Sequence, residues 1–164
     1  MNKIIVIGCS GSGKSTFARK LSALLNLPLY YLDMIWHKPD KTTITQKEFD
    51  TKLNNILKED SWIIDGNYQR TLEMRLKKCD SVFLFDISTE LCLEGAKSRI
   101  GKQRVDLPWL ETDFDDDFKQ WIYDYKTKSL PITMDLLKQY QDGKQIIIFK
   151  SREESEEFLK KLSK

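Results

Sequence analysis

The sequence predicts an α/β fold, a three-layer sandwich in which a parallel sheet of about five strands lies between helices, and three observations carry that prediction. Short apolar runs recur along the 164 residues, separated by stretches with helical spacing. The runs are nearly continuous in Ile, Val, Leu and Phe, as strands buried on both faces are. The first of them feeds the string Gly8-Cys9-Ser10-Gly11-Ser12-Gly13-Lys14-Ser15, which opens directly into a helical pattern.

Ile4-Ile5-Val6-Ile7 forms the first run. After the glycine-rich string, Phe17, Leu21, Leu24 and Leu25 share one helical face, and that helix ends near Asn26. Residues 27–32 read as the second strand, with Pro28 near its start, where no ladder donor is lost. Thr45-Gln46-Lys47-Glu48 has the form of a capping box, and Phe49, Leu53, Ile56 and Leu57 repeat the helical spacing behind it. Residues 62–65, 82–86 and 146–149 supply the remaining strands. Ser151-Arg152-Glu153-Glu154 caps a last helix whose apolar side is Phe158, Leu159 and Leu162. Strand and helix alternate throughout, which implies right-handed crossovers and helices on both faces of the sheet. Ligands of such sheets bind beyond the carboxyl ends of the strands.

G-x-x-x-x-G-K-S between a strand and a helix is a phosphate-binding P-loop. The N–H groups of the loop and of the helix N-terminus cradle a polyphosphate only when a strand delivers them and a helix leaves. ATP is therefore expected along Gly8, Cys9, Ser10, Gly11, Ser12, Gly13, Lys14, Ser15 and Thr16. Lys14 would reach the β- and γ-phosphates, and the Ser15 hydroxyl would ligate Mg²⁺. Asp65 ends the third run ahead of Gly66, where its carboxylate would hold the same Mg²⁺, directly or through water, or else cap a turn.

Asp33 ends the second run. A kinase acting on a hydroxyl benefits from a carboxylate that orients and deprotonates it, whereas one acting on a phosphate needs no base, so Asp33 is either that base or a helix cap. Trp36 and His37 follow it, as core residues or as groups that stack on a substrate, and no second His or nearby Cys makes His37 a metal ligand. Phosphoryl transfer needs cations beyond Lys14, and of six arginines Arg70, Arg99 and Arg104 lie nearest the ligand-binding edge. Arg152, past the last strand, borders the nucleotide or simply begins a helix. Asp113, Asp115, Asp116 and Asp117 lack the alternation and central Gly of a calcium loop and read as an acidic helix N-terminus.

The length fits one domain, residues 1–164, with polar insertions at 34–43 on the acceptor side and 101–117 as a lid. Three cysteines make neither a disulfide framework nor a four-ligand zinc site, so a reducing cytoplasm is expected. No apolar run is long enough to span a bilayer. Net charge is +2 with both signs interleaved, which leaves no strong nucleic-acid signature. The sequence leaves the oligomeric state open.

The P-loop, the segment Asp65-Gly66-Asn67-Tyr68-Gln69-Arg70-Thr71 and the run at 82–86 together resemble the adenylate kinase-like branch of P-loop kinases. In that branch an Asp-Gly-aromatic-Pro-Arg segment joins magnesium handling to the acceptor phosphate, and lid arginines close over the γ-phosphate. Here Gln69 replaces the Pro, Asn67-Tyr68 replaces the single aromatic, and the lid is short. A closer, end-to-end resemblance is to the bacterial DNA topology modulation proteins, through Leu32-Asp33-x-x-Trp36, residues 62–68, Arg70-Thr71, Arg75, Asp80 and residues 149–152. That resemblance implies the fold, ATP and Mg²⁺ binding and a bacterial cytoplasmic setting; the family name records a genetic association. The resulting expectation is an ATP-dependent phosphotransferase acting on a small-molecule acceptor, whether nucleotide, nucleoside or other hydroxyl compound. Its rival is an ATP-binding regulatory protein linked to DNA topology, without kinase activity.

Overall fold

The computed structural model describes all 164 residues. The apolar runs become β1 (Lys3–Gly8), β2 (Leu29–Tyr31), β3 (Trp62–Asp65), β4 (Ser81–Phe85) and β5 (Gln145–Phe149). They form one parallel sheet in the order β2-β3-β1-β4-β5. From the central β1 the chain leaves first to one side and later to the other, so a crevice opens beyond its carboxyl end.

Alternate residues of each strand face opposite helical layers. Ile4, Val6, Phe83 and Phe85 pack toward α1 (Lys14–Leu25) and α8 (Arg152–Leu162), and α5 (Thr89–Ser98) and α6 (Asp116–Asp124) complete that layer through Cys92, Ala96 and Ile122. Phe17 of α1 is its hub, with ring centroids 5.0, 5.4 and 5.3 Å from Phe83, Phe85 and Phe149. On the other face Ile5, Ile7, Ile64 and Leu84 meet α3 (Gln46–Leu57), α4 (Leu72–Leu76) and α7 (Leu130–Gln139). Burial of each large core side chain contributes about 1.5–3 kcal/mol, and the core is split evenly enough that neither layer is dispensable.

The capping box starts α3 as expected, with Thr45 and Glu48 bonded reciprocally. Asp115 accepts from the Phe118 amide, and Asp116 and Asp117 fill the first turn of α6, the acidic helix start expected of that cluster. One helix-to-helix passage is not simple: α6 runs into a π-helical turn, Tyr125–Ser129, before α7.

The second strand is shorter than expected. Pairing stops at Tyr31 opposite Asp65, because β3 itself ends there, and the chain turns at once into a short helix, α2 (Leu32–Trp36). Leu32 is fully buried by that turn, and Asp33 sits in the first turn of α2 rather than on a strand end. The first polar insertion is thus helical at its start and closes with an antiparallel bridge between His37 and Thr43.

At the opposite edge of the sheet Asp80 joins the strands. Its Oδ2 accepts the backbone amides of Asn2 (2.8 Å) and Lys3 (3.0 Å), its own amide donates to the Lys3 carbonyl, and its carbonyl accepts from Gln145. Burial pushes the Asp80 carboxyl up, but the Ser81 hydroxyl and those two amides outweigh it and hold it below the usual carboxylate range. Asp80→Ala is expected to cost about 1–2 kcal/mol of stability through the lost charge-assisted bonds. A native pKa below the unfolded one stabilises at higher pH. The difference from wild type should therefore be full above about pH 4–5 and fade as pH falls through the depressed native value, a pattern that urea unfolding across pH would read directly.

Candidate active site

β1 delivers the P-loop and α1 leaves it, with Gly13 at the helix start in the left-handed region (φ 101°). The loop rests on α5 by backbone contact. A Cβ on Gly11 would lie 2.0 Å from the Cys92 carbonyl oxygen, and a Cβ on Gly95 would lie 2.1 Å from the Gly11 carbonyl oxygen. Arg152, the first residue of α8, locks that contact: its guanidinium donates to the carbonyls of Gly11 (2.7 Å), Leu91 (3.1 Å) and Ser12 (3.3 Å). It therefore begins a helix, as the sequence suggested, and also clamps the loop. Sequence reasoning missed Gly95, whose only signal is a glycine inside an otherwise good helix.

Asp65 is buried at the end of β3, where its Oδ2 accepts from the Ser15 hydroxyl at 2.5 Å. Its Oδ1 is buried without any hydrogen-bond partner. Burial pushes this carboxyl upward, against the pull of Lys14 and Ser15. An orphaned carboxylate oxygen beside a hydroxyl is the hard-oxygen donor set that Mg²⁺ takes, so Ser15 and Asp65 fit that ion.

The next residues form the acceptor side. Arg75 is fully buried on α4 and donates to the carbonyls of Gly66 (2.9 Å) and Tyr68 (2.8 Å), which fixes the backbone that leaves Asp65. Burial pulls its pKa down to about 10, so it stays a cation at neutral pH. The Asn67 side chain accepts from the Gly8 amide (3.3 Å), and Gln69 donates to the Ser129 carbonyl in the π-helical turn (3.1 Å). Tyr68 donates to Asp33 at 2.5 Å, and burial together with the Asp33 charge pushes its phenol far up, so it remains the donor. His37 meets Trp109 edge-on at 4.8 Å, and burial lowers its pKa below the ordinary histidine value.

Two cavities flank the P-loop, of about 620 and 570 Å³. The first lies over Asp33, Asn67, Tyr68 and the 101–117 segment. The second runs behind the loop past Gly13, Thr16, Arg19 and Arg152. They share one wall: Lys14, Ser15, Arg99, Arg104 and Asp106. Arg104 pairs with Asp106 at 2.6 Å and also with Glu111, and all three side chains are largely buried. Asp106 has a single signal in the sequence, a carboxylate two positions after Arg104.

Arg70 departs from expectation. Its guanidinium forms a bidentate pair with Asp50 of α3 (2.8 and 3.1 Å), exposed and outside both cavities. The 3₁₀ turn Gln69–Thr71 rotates it outward and gives the inward position to Arg75.

No protein-family profile matches the chain. The adenylate kinase of Pseudothermotoga lettingae is 29% identical over 86 residues, which is 51% of this chain and only 38% of that protein. Among solved structures, shikimate kinase from Bacteroides thetaiotaomicron matches with a TM-score of 0.63 at 18% identity, over 97% of this chain and 94% of that one. Shikimate kinase from Acinetobacter baumannii in complex with shikimate gives 0.62 at 18%, over 99% and 90%. A gluconokinase from Sinorhizobium meliloti gives 0.57 at 13%, over 98% and 89%. The fold is the adenylate kinase-like α/β fold that P-loop kinases share.

Because Gly11 and Gly95 touch through backbone, Gly95→Ala must move the loop or the helix. A loss of about 1–3 kcal/mol is expected from the overpacking, to be read by urea unfolding. Wild-type stability in the variant would mean that the loop and α5 do not meet through their backbones.

Proposed function

We propose that the chain is an ATP-dependent phosphotransferase that moves the γ-phosphoryl group onto the hydroxyl of a small molecule. The observation that carries this reading is the shared wall: two cavities of ligand size meet at Lys14, Ser15, Arg99, Arg104 and Asp106. Two ligands placed in them would face each other across cations, which is the arrangement in-line phosphoryl transfer requires. The kinase neighbours, and the relative matched over part of its length, support the same reading.

The nucleotide would lie in the second cavity with its phosphates on the P-loop, Gly8 to Thr16. Mg²⁺, held by Ser15 and Asp65, would supply charge neutralisation of the phosphate oxygens. Lys14 and Arg99 would steady the transferring group. The acceptor would lie in the first cavity beside Asp33. Tyr68 holds one Asp33 oxygen by its hydrogen bond, which orients the carboxylate and leaves the other oxygen to accept a hydroxyl proton. The 101–117 segment, which contributes Arg104 and Asp106 to the wall, would act as a short lid over one domain spanning the whole chain.

A screen of hydroxyl compounds with purified protein, ATP and Mg²⁺ tests the activity, with ADP release and product mass as readouts. Failure of every acceptor class to be phosphorylated would defeat it. With an acceptor in hand, Asp33→Asn is expected to lower kcat by about 10²–10⁴-fold with little change in KM, since a general base acts in the transition state. Asn keeps an oxygen for Tyr68, so a folding defect is not expected. The resemblance to DNA topology modulation proteins motivates a DNA measurement as well. With a net charge of +2, duplex binding is expected to stay in the non-specific range, about 10⁻⁴–10⁻⁶ M at physiological salt. Fluorescence anisotropy showing submicromolar, ATP-dependent binding would favour the DNA-linked switch instead.

A further inference from the structure

The arginines of the chain have specific stations. Arg75 is buried on backbone carbonyls, Arg152 clamps the P-loop, Arg70 pairs with Asp50, and Arg19 borders only the second cavity. Only Arg99 and Arg104 reach the first cavity; both stand on the shared wall, and Arg104 is already held by Asp106 and Glu111. Beyond that wall the acceptor half of the first cavity has a single cation, the exposed Lys41. Apart from Asp65 at the foot of the P-loop, it has three carboxylates without a cationic partner: Asp33, Asp113 and Asp115. Burial lowers the His37 pKa, against the pull of Asp33, and so disfavours its cationic form. Five aromatic residues, Tyr31, Tyr68, Trp109, Phe118 and Trp121, line the cavity beside the uncharged polar side chains of Asn67, Gln69, Thr112 and Ser129, and Phe118 and Trp121 stack at 6.3 Å. Trp121 is left 36% exposed on this side of the chain.

A nucleotide or carboxylate acceptor needs its own Arg fork, apart from the cations that face the transferring phosphate. That fork is missing here. Carboxylates and aromatic faces together attract a cation. From this we propose, resting on the phosphotransferase reading, that the acceptor is an amine-bearing hydroxyl compound that carries neither phosphate nor carboxylate. Its ammonium group lies between Asp113, Asp115 and the aromatic wall, and its hydroxyl lies at Asp33. In the transfer the hydroxyl oxygen forms a bond to the γ-phosphorus while the bond to the bridging β,γ-oxygen breaks. The leaving electron pair stays on ADP, and the hydroxyl proton passes to the Asp33 carboxylate.

Two matched series test this with the full chain, ATP and Mg²⁺. One is glucosamine, N-acetylglucosamine and gluconate; the other is 3′-amino-3′-deoxyadenosine, adenosine and AMP. Transfer is followed by product mass, and binding by calorimetry with a non-hydrolysable ATP analogue. In at least one series the amine should be preferred over its neutral partner by about tenfold, and the anionic member should not react. The double variant Asp113→Asn/Asp115→Asn, which keeps a capping side chain at the start of α6, should abolish the preference. Asp113→Lys should shift it toward the anionic member. Phosphorylation of gluconate or AMP at least as efficiently as the amine would overturn this inference and leave the kinase reading intact. Selective binding of the amine, lost in the double variant and without transfer to any compound, would uphold the inference and sink the kinase reading. Absence of both selectivity and transfer would overturn both.

Discussion

The contact on which the site depends is the backbone-to-backbone approach of the P-loop to α5. A phosphate-binding loop must hold its amides in one geometry before the ligand arrives, and the loss of conformational freedom is greatest for its glycines. Here the cost is met by packing. Gly11 and Gly95 exclude any side chain between them, and Arg152 takes up the carbonyls of Gly11 and Ser12 from the rear. Charged hydrogen bonds of this kind contribute about 1.5–3 kcal/mol each, enough to keep the loop between β1 and α1 from sampling alternatives. The fold supplies the partners: α5 follows β4 and α8 follows β5, the strands on the α5 side of β1.

On the other side of β1 the same task falls to Arg75. A buried guanidinium without a carboxylate is ordinarily unfavourable, because its desolvation is not repaid by an opposite charge. Two carbonyls at 2.8 and 2.9 Å meet part of that demand, while Nε remains without a partner. The compensation is geometric rather than energetic. By holding Gly66 and Tyr68, Arg75 places the phenol on Asp33 and the segment after Asp65 against the P-loop, where Asn67 meets Gly8. Buried Asp65 and buried Arg75 thus organise two ends of one short segment, and neither is paired with the other.

These relations explain what the sequence could reveal. The P-loop, the capping box of α3, the Ser151 cap of α8 and four of the five strands depend on residues close together in the chain, so their patterns are legible. The second apolar run predicts a strand longer than β2, because the end of β2 is set by where its neighbour β3 stops, a non-local fact. Arg70 and Arg75 lie on one short stretch, and only the tight 3₁₀ turn decides which of them turns inward. Gly95 and Asp106 are defined by partners on other elements, Gly11 and Arg104, which no periodicity reports.

The state of Arg104 bears on how the proposed reaction would be gated. Tied to Asp106 and Glu111 and only 13% exposed, it stands on the wall between the cavities with its donors engaged. Breaking a buried pair by removing one partner costs about 3–5 kcal/mol, so Arg104 would not be released by thermal motion alone. A polyphosphate on the P-loop would offer a denser negative charge than either carboxylate, and so a replacement partner for Arg104. Arg99 differs. Its Nε has no partner, and burial, with Arg104 close by, lowers its pKa, so a phosphate oxygen would relieve a deficit rather than replace a bond. On electrostatic grounds Arg99 would therefore engage the nucleotide first, and Arg104 would follow as the 101–117 segment rearranges around the filled site.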